Sequence, residues 1–593
     1  MKTLPEVWRL LEPAERRRFA RLCVVALGMA LSTVGGVTAV LPFLAALGDV
    51  LSGSRTGLLW PLYDHFGFEN ARTFAAALGL AFVGLVATAN AVNLAGTLAM
   101  TRFAFQVGTR FQVALFDEFL RRDVEFHSRH DAGTLASKAV HEAGRVTTGI
   151  LHSSLTLLTG LTTSLLIVAS LVALDPLVAA VALGTLGSTY LLVYAVTRGR
   201  LLRHGRVESR HAADRHRIVG ESFGGHREIL LHGARPYFVA RLREACVALA
   251  RTLVGTLAIS QAPRYLLECL AAAALVGTAL LLVGRANGGS AWMAQLAFVG
   301  FAAYRLLPAL QGVYAAAVRI TADSAAFEAI ADELRRASAR RAHREGPVDR
   351  DWAGRPRREI VLDAVTFRYA PDRLPAVREV SLRIPAGACI GLVGHNGSGK
   401  TTLLDLLAGL LVPQSGRVVV DGHAIDDADR RAWRSAIAYV PQDVFLLDAT
   451  VAENVAFGVH TCEIDRVALR EALRRACLDG LLDSLPHGVD ERLGERGARL
   501  SGGQRQRLGI ARALYRDAAV LLLDEGTRGL DDDAEGDFVA TLAALRGRRT
   551  VVLATHDERL LAHCDFAIEL SQGRVVGRRT LLADGATTAA AQR

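Results

Sequence analysis

The sequence predicts a multi-domain membrane protein: an all-α half with six membrane-spanning helices, followed by an α/β domain built around a phosphate-binding P-loop. Three observations predict it. Apolar residues make up 51% of the 593, and they crowd into long blocks before about Leu310, while the rest has the composition of a soluble domain. The mean hydropathy is positive. The segment "GLVGHNGSGKTTLL", from Gly391, sets a glycine-rich loop between a strand-like apolar run and a helix-like one. A chain this long also exceeds a single ordinary core.

Six stretches have the roughly 20 apolar residues that a spanning helix needs. They run near Leu22–Leu47, Thr73–Met100, Thr148–Leu174, Leu177–Val196, Tyr265–Val283 and Trp292–Gln311. The third and fourth are separated by Asp175–Pro176, a turn suited to antiparallel helices. Basic residues alternate with the connections. Arg16, Arg17, Arg18 and Arg21 lead into the first span, Arg102 to Arg145 fill the second connection, and "RGRLLRHGRVESRHAADRHR" follows the fourth span. The opposite connections hold only Arg55, Arg72 and Arg285. The positive-inside rule therefore predicts both termini in the cytoplasm. The two long inner connections keep a helical period, which predicts spans continuing inward as rods. The net charge of +10 lies beside apolar blocks, the pattern of a protein against an anionic leaflet rather than one bound to nucleic acid.

The predicted domains are an amphipathic N-terminal segment at 1–21, the six-helix domain at 22–336, a linker at 337–357, the α/β domain at 358–582, and a tail at 583–593. The linker, "ASARRAHREGPVDRDWAGRPR", is rich in Arg, Gly and Pro and lacks apolar periodicity. In the first outer loop Leu58, Leu59, Trp60, Leu62, Tyr63 and Phe66 form an apolar face on a short interfacial helix, read either as an aromatic belt or as a substrate-related element. The seven cysteines show no CxxC spacing, which predicts free thiols rather than a disulfide or zinc framework.

The α/β half carries its chemistry in two motifs. Gly394, Gly399, Lys400 and Thr401 fit G-x-x-x-x-G-K-[ST], with His395, Asn396, Gly397 and Ser398 between and Thr402 after. Such a loop turns its N–H groups inward as an anion nest at a helix N-terminus. Lys400 is placed to reach β/γ phosphates, and the Thr401 hydroxyl to ligate Mg²⁺. The apolar run from Ala518 ends in Asp524 and Glu525. The first suits a metal-holding role and the second suits orienting or deprotonating the attacking water.

With these motifs in order, 359–582 resembles the ATP-binding cassette (ABC) superfamily. "LSGGQRQR", Leu500 to Arg507, matches the family signature. The resemblance implies that two cassettes face head to tail, so that Ser501, Gly502, Gly503 and Gln504 of one act on nucleotide held by the other. It further implies that Tyr369 stacks on adenine, that Gln442 in "YVPQD" contacts Mg²⁺, and that His556 in "LATHD" lies near the γ-phosphate. "GERG", Gly494–Gly497, resembles an exporter loop that touches the inner rods. After the catalytic acid the family usually has a Ser-Ala-Leu-Asp run, which the resemblance implies lies at the cassette–cassette interface; here it is "EGTRGLDDD", with Arg528 and Gly529 before Leu530.

Six spans, inner rods and one cassette resemble an ABC exporter half-transporter, which implies a homodimer. Residues 132–144 and 224–238 are the candidate coupling contacts. The segments "GGHREILLHGARPYFVARL", "APRYLLE" and "YRLLPALQGVYAA" resemble bacterial lipid-linked-oligosaccharide flippases, implying an inner-membrane protein that moves an anionic lipid-linked substrate. Arg305 sits about 20 Å into the sixth span, where a charge normally faces a cavity or a partner. Its planar fork suits a pyrophosphate head. Arg264, at the inner mouth of the fifth span, is the second candidate, with interfacial snorkelling as its other reading. Export of a peptide, drug or other amphiphile is the alternative function. A soluble ABC ATPase lacks the spans, and a gated channel would not require Glu525.

Overall fold

The computed structural model describes residues 3–43, 60–65, 68, 71–174, 176–285, 291–342, 354–525 and 532–581. The Asp175 turn, most of the outer aromatic segment, much of the linker, the loop around Arg528 and the tail lie outside these. The chain divides into two compact units, 1–122 with 127–344, and 123–126 with 345–593.

The first unit is helical. Helix α1 (Thr3–Leu10) buries Val7 and Leu10. Helix α2 (Pro13–Thr38) starts before the predicted span because Pro13 occupies its first turn and Glu12 with Glu15 closes a capping box. The basic run Arg16–Arg21 is thereby part of the helix rather than a separate segment. Helix α3 (Ala71–Leu120) contains the second predicted span and continues for five more turns. Helix α4 (Ser153–Leu174) holds most of the third. Helices α5 (Pro176–Gly224), α6 (Arg235–Arg285) and α7 (Ala291–Ala342) hold the last three and run well beyond them as rods. Among the described residues five helical stretches are long and apolar enough to cross a membrane. Helix α5 is not among the five; part of its apolar stretch lies outside the described side chains. Leu80, Leu94, Leu165 and Leu191 are exposed along these helices, which is costly in water and natural against lipid tails.

Ion pairs fasten α1 and the head of α2 to distant helices. Arg335 on α7 reaches Glu6 at 2.7 Å, and Arg341 reaches Glu12 at 2.8 Å. Arg110 on α3 forks onto Glu15 at 2.7 and 2.8 Å.

The second unit has two sheets. Strands β1 (Glu359–Phe367), β2 (Val377–Pro385), β4 (Ser415–Val420) and β5 (His423–Ala424) form an antiparallel sheet in the order β2-β1-β4-β5. The other sheet runs β10-β9-β3-β8-β7-β6, with β3 (Cys389–Val393), β6 (Ile437–Val440), β7 (Val520–Asp524), β8 (Thr550–Ala554) and β9 (Phe566–Ser571) parallel where they pair. Only β10 (Arg574–Thr580) is antiparallel, at the edge. Strands β7 and β8 are buried at every residue, as strands covered on both faces must be. One core packs Ile360, Phe367, Leu392, Leu404 and Leu522 between the sheets; a second packs Leu473, Leu508 and Leu523 on the other side.

Candidate functional site

The parallel sheet ends its strands at one level. Leu392 of β3 and Asp524 of β7 both pair with Ala554 at the end of β8. The loops that follow β3, β7 and β8 therefore leave side by side, the edge where parallel sheets bind ligands. These are the segments of Gly394–Lys400, Glu525 and His556.

The loop after β3 turns into helix α8 (Lys400–Leu407), capped by Gly399 at φ 105°. A Cβ there would approach the Ala376 carbonyl oxygen to 2.5 Å, so only glycine fits the turn. Lys400 is buried and donates to the Gly394 carbonyl at 2.6 Å and the His395 carbonyl at 3.2 Å. Burial pulls its ammonium below the usual lysine range, partly offset by Glu525 and Asp524. Ser398 is also buried, and its hydroxyl has no protein partner. A loop with a desolvated ammonium and an orphaned hydroxyl suits an oxyanion-rich guest.

Across the loop, the Thr401 hydroxyl donates to Asp524 Oδ2 at 2.8 Å. Burial, more than any neighbour, raises the Asp524 carboxyl above the usual range. This hydroxyl–carboxylate pair is the donor set that a small hard cation takes in phosphate sites. Glu525 has left-handed backbone, φ 51°. Seven other described non-glycine residues share such a φ, and Glu525 is the one among them that lines the cleft. Gln442 donates to Glu525 Oε2 at 2.8 Å, and His556 Nε2 lies 3.8 Å from Glu525 Oε1. Tyr369 shares a hydrogen bond with the Thr402 hydroxyl at 3.1 Å and meets Phe367 edge-on.

These side chains line one cleft of about 780 Å³. Asn396 to Thr402, Tyr369, Gln442, Asp524, Glu525 and His556 all contribute to it, while Gly394 and His395 shape the loop behind. Ala376 lines it too, with no sequence signal that singles it out. Beneath the cleft, burial together with Asp524 pushes the Asp405 carboxyl up to about 6, and Tyr439 hydrogen-bonds to it. The lone acid inside "TTLLDLLAGLL" was the available sequence signal.

Ser501 to Gln504 are not among the residues lining this cleft. They form the head of helix α9 (Gly502–Tyr515). The Ser501 hydroxyl accepts from the Gln504 N–H at 3.2 Å, and Gln504 Oε1 accepts from the Ser501 N–H at 2.8 Å. Arg496, in the "GERG" turn, has left-handed backbone.

In the helical unit, Arg305 lies 5.9 Å from the ring centroids of both Phe301 and Tyr304. Arg264 pairs with Glu268 one turn along at 2.6 Å, both half exposed. Of the two coupling candidates, 132–144 contains the helix Ala132–Ala136 and a π-helical turn, and 224–238 contains the short helix His226–Leu231. A further short helix, Val124–Arg129, has no sequence signal that singled it out.

A nucleotide-type cleft on a parallel sheet, following a bundle of long membrane helices, defines an ATP-driven membrane machine. The family model described as "ABC transporter" matches 377–528, and that described as "ABC transporter transmembrane region" matches 27–302. The chain is 31% identical over 580 residues to a protein of Ralstonia nicotianae named ATP-dependent lipid A-core flippase, covering 96% of this chain and 92% of the relative. A protein of the same name from Cupriavidus metallidurans is 31% identical over 594 residues, with 97% and 92% covered. The solved structure of a bacterial Atm1-family ABC exporter with ATP bound matches with a TM-score of 0.73 at 22% identity, over 96% of both chains. The chain belongs to the ABC transporter family. It is an ABC exporter, membrane helices followed by a nucleotide-binding domain, and it hydrolyses ATP.

Proposed function

We propose that this exporter works as a homodimer in a bacterial inner membrane, both termini cytoplasmic, and flips a lipid with an anionic glycan head from the inner to the outer leaflet. The relatives' shared name is that of a lipid flippase, which favours lipid over peptide or drug. It does not single out a lipid-linked oligosaccharide, so the cargo proposed is the broader class of anionic glycolipid. The observation that carries the anionic head is Arg305, whose neighbours at 5.9 Å are aromatic faces. A guanidinium held by rings keeps its fork for an oxyanion.

The cleft supports one assignment of roles. Lys400 and the 394–399 loop hold the phosphates of ATP, and Tyr369 takes the adenine. Thr401, Asp524 and Gln442 would hold Mg²⁺, which when bound neutralises phosphate charge. Glu525, steadied by Gln442, is the base that takes the proton of the attacking water. His556, 3.8 Å from Glu525, is placed to follow the γ-phosphate. The signature residues Ser501–Gln504 stand outside the cleft of their own chain, which supports completion of each site by a second copy.

The test is reconstitution in liposomes with polyprenyl-pyrophosphate glycans, other anionic glycolipids and uncharged peptides. Stimulated ATPase and flipping with an anionic glycolipid is the expected result. Stimulation by peptide alone rejects the lipid reading.

A further inference from the structure

Helix α6 runs unbroken for 51 residues, about 77 Å at 1.5 Å per residue, with a proline inside it at position 263. Proline has no N–H. The carbonyl four residues back, that of Ile259, therefore loses its helical donor, and the proline ring presses against that same carbonyl. Pro263 is buried, and Ile259 packs into an apolar cluster that also holds Leu267, Leu306 and Tyr314. A carbonyl left without a donor in such surroundings is costly.

The donor comes from another helix. The Tyr314 hydroxyl of α7 donates to the Ile259 carbonyl at 3.0 Å, across 55 residues of sequence. Tyr314 is itself only 4% exposed, so its hydroxyl needs a partner as much as the carbonyl does. Tyr190 of α5, also buried, packs against the Tyr314 ring with centroids 5.0 Å apart.

A proline inside a long helix is a place where the helix bends. A partner for the freed carbonyl stiffens the broken turn, and in α6 that partner is carried by a neighbour. The stiffness of α6 at residue 263 therefore depends on α7 lying against it as it does here. Separating the two at this level strands a carbonyl and a phenol, each satisfied by the other. The position matters because α6 begins inside 224–238, one of the two candidate coupling segments, and carries the fifth span beyond the proline.

We propose that Tyr314 is a positioning residue: its hydroxyl stands in for the N–H that Pro263 lacks, and it makes α6 a continuous rod between its inner end and the membrane while α7 is docked against it. This rests on the chain being an ATP-driven exporter and not on its cargo. The test therefore has one measurement of the helix itself and one of its use, and neither needs the lipid to be known.

Tyr314→Phe removes one oxygen and keeps the ring. Pro263→Ala returns the missing N–H and should make the hydroxyl dispensable. Wild type, both single variants and the double variant are reconstituted in vesicles of phosphatidylethanolamine and phosphatidylglycerol. Deuterium uptake into peptides covering 255–270 is expected to be at least threefold faster in Tyr314→Phe, with cassette peptides unchanged, and to return to the wild-type rate in the double variant. Movement passed along α6 is then lost in bending at residue 263. The kcat for ATP is expected to fall at least threefold in Tyr314→Phe, with KM within twofold, and to recover in the double variant. Unchanged uptake in Tyr314→Phe overturns the proposal. A loss that Pro263→Ala fails to repair also overturns it, because the hydroxyl would then be serving another partner. Faster uptake with an unmoved kcat overturns the positioning role. Should Tyr314→Phe alone not fold, the double variant decides: a folded one is the expected rescue, and a misfolded one overturns the proposal.

Discussion

Gln442 donates its side-chain amide to Glu525 at 2.8 Å, across 83 residues of sequence. The amide fixes a carboxylate whose own backbone is left-handed, so the proposed base is aimed by both its main chain and its neighbour. Replacing Glu525 with Gln keeps the shape and removes the basicity. ATP affinity should stay within a few fold while phosphate release falls by roughly 10²–10⁴. Equilibrium nucleotide binding and steady-state phosphate release on the same preparation check this. Near wild-type turnover would remove Glu525 from the role.

The Thr401–Asp524 pair at 2.8 Å predicts a metal phenotype rather than a nucleotide phenotype. Thr401→Ala should raise the magnesium concentration needed for half-maximal ATPase by roughly tenfold, the scale on which small changes in a ligand shell act. Binding of ATP without magnesium should change little. A titration of ATPase against free magnesium distinguishes the two.

Gly399 supplies a turn that no side chain fits. With φ 105° and the Ala376 carbonyl 2.5 Å from where a Cβ would lie, Gly399→Ala should cost about 1–3 kcal/mol in strain. The helix head would tilt away from the phosphates. A loss of at least tenfold in ATP affinity is expected, with a fall in the cassette's thermal midpoint.

Asp405 gives a pH dependence of definite sign. Its carboxyl is raised from 3.8 to about 6, so the folded state holds a proton that the unfolded state has released between those values. Stability contributed at low pH is therefore lost as pH rises from about 4 to 6, by up to about 3 kcal/mol if the whole shift is realised. In magnesium-free, nucleotide-free protein, Asp405→Asn should flatten that slope and raise the thermal midpoint at pH 7.5. A mutant with the wild-type slope would show that another group is responsible.

Arg264 and Arg305 should separate under mutation. Arg264 is already paired with Glu268, so Arg264→Ala should leave lipid-stimulated ATPase within about twofold, the modest effect of an exposed pair. Arg305→Ala should abolish stimulation by an anionic glycolipid while unstimulated ATPase persists. Equal losses in both would point to packing rather than recognition.

The ATP cleft was legible because its chemistry is local: Gly394 to Thr402 is one unbroken run, and Asp524–Glu525 closes a strand that its own apolar residues define. The six long helices were legible for a similar reason, since lipid demands an apolar length that shows in the sequence. Their ends were less so. The start of α2 depends on Pro13 and on the Glu12–Glu15 cap, which the neighbouring arginines obscured. Contacts between distant residues left no mark at all. Nothing in "HEAGRV" announces that Arg145 meets Asp323, 178 residues later, nor does Asp405 announce Tyr439. The π-helical turns have no sequence period of their own to read.

The fastening of α1 to the far end of α7 has a consequence for biogenesis. Glu6 and Arg335 are 329 residues apart, as are Glu12 and Arg341. The Glu6–Arg335 and Glu12–Arg341 pairs therefore form only after α7 has been synthesised, while Glu12 also has Arg110 of α3 at 3.7 Å. Both pairs are late contacts in synthesis, made after every helix between them has been laid down.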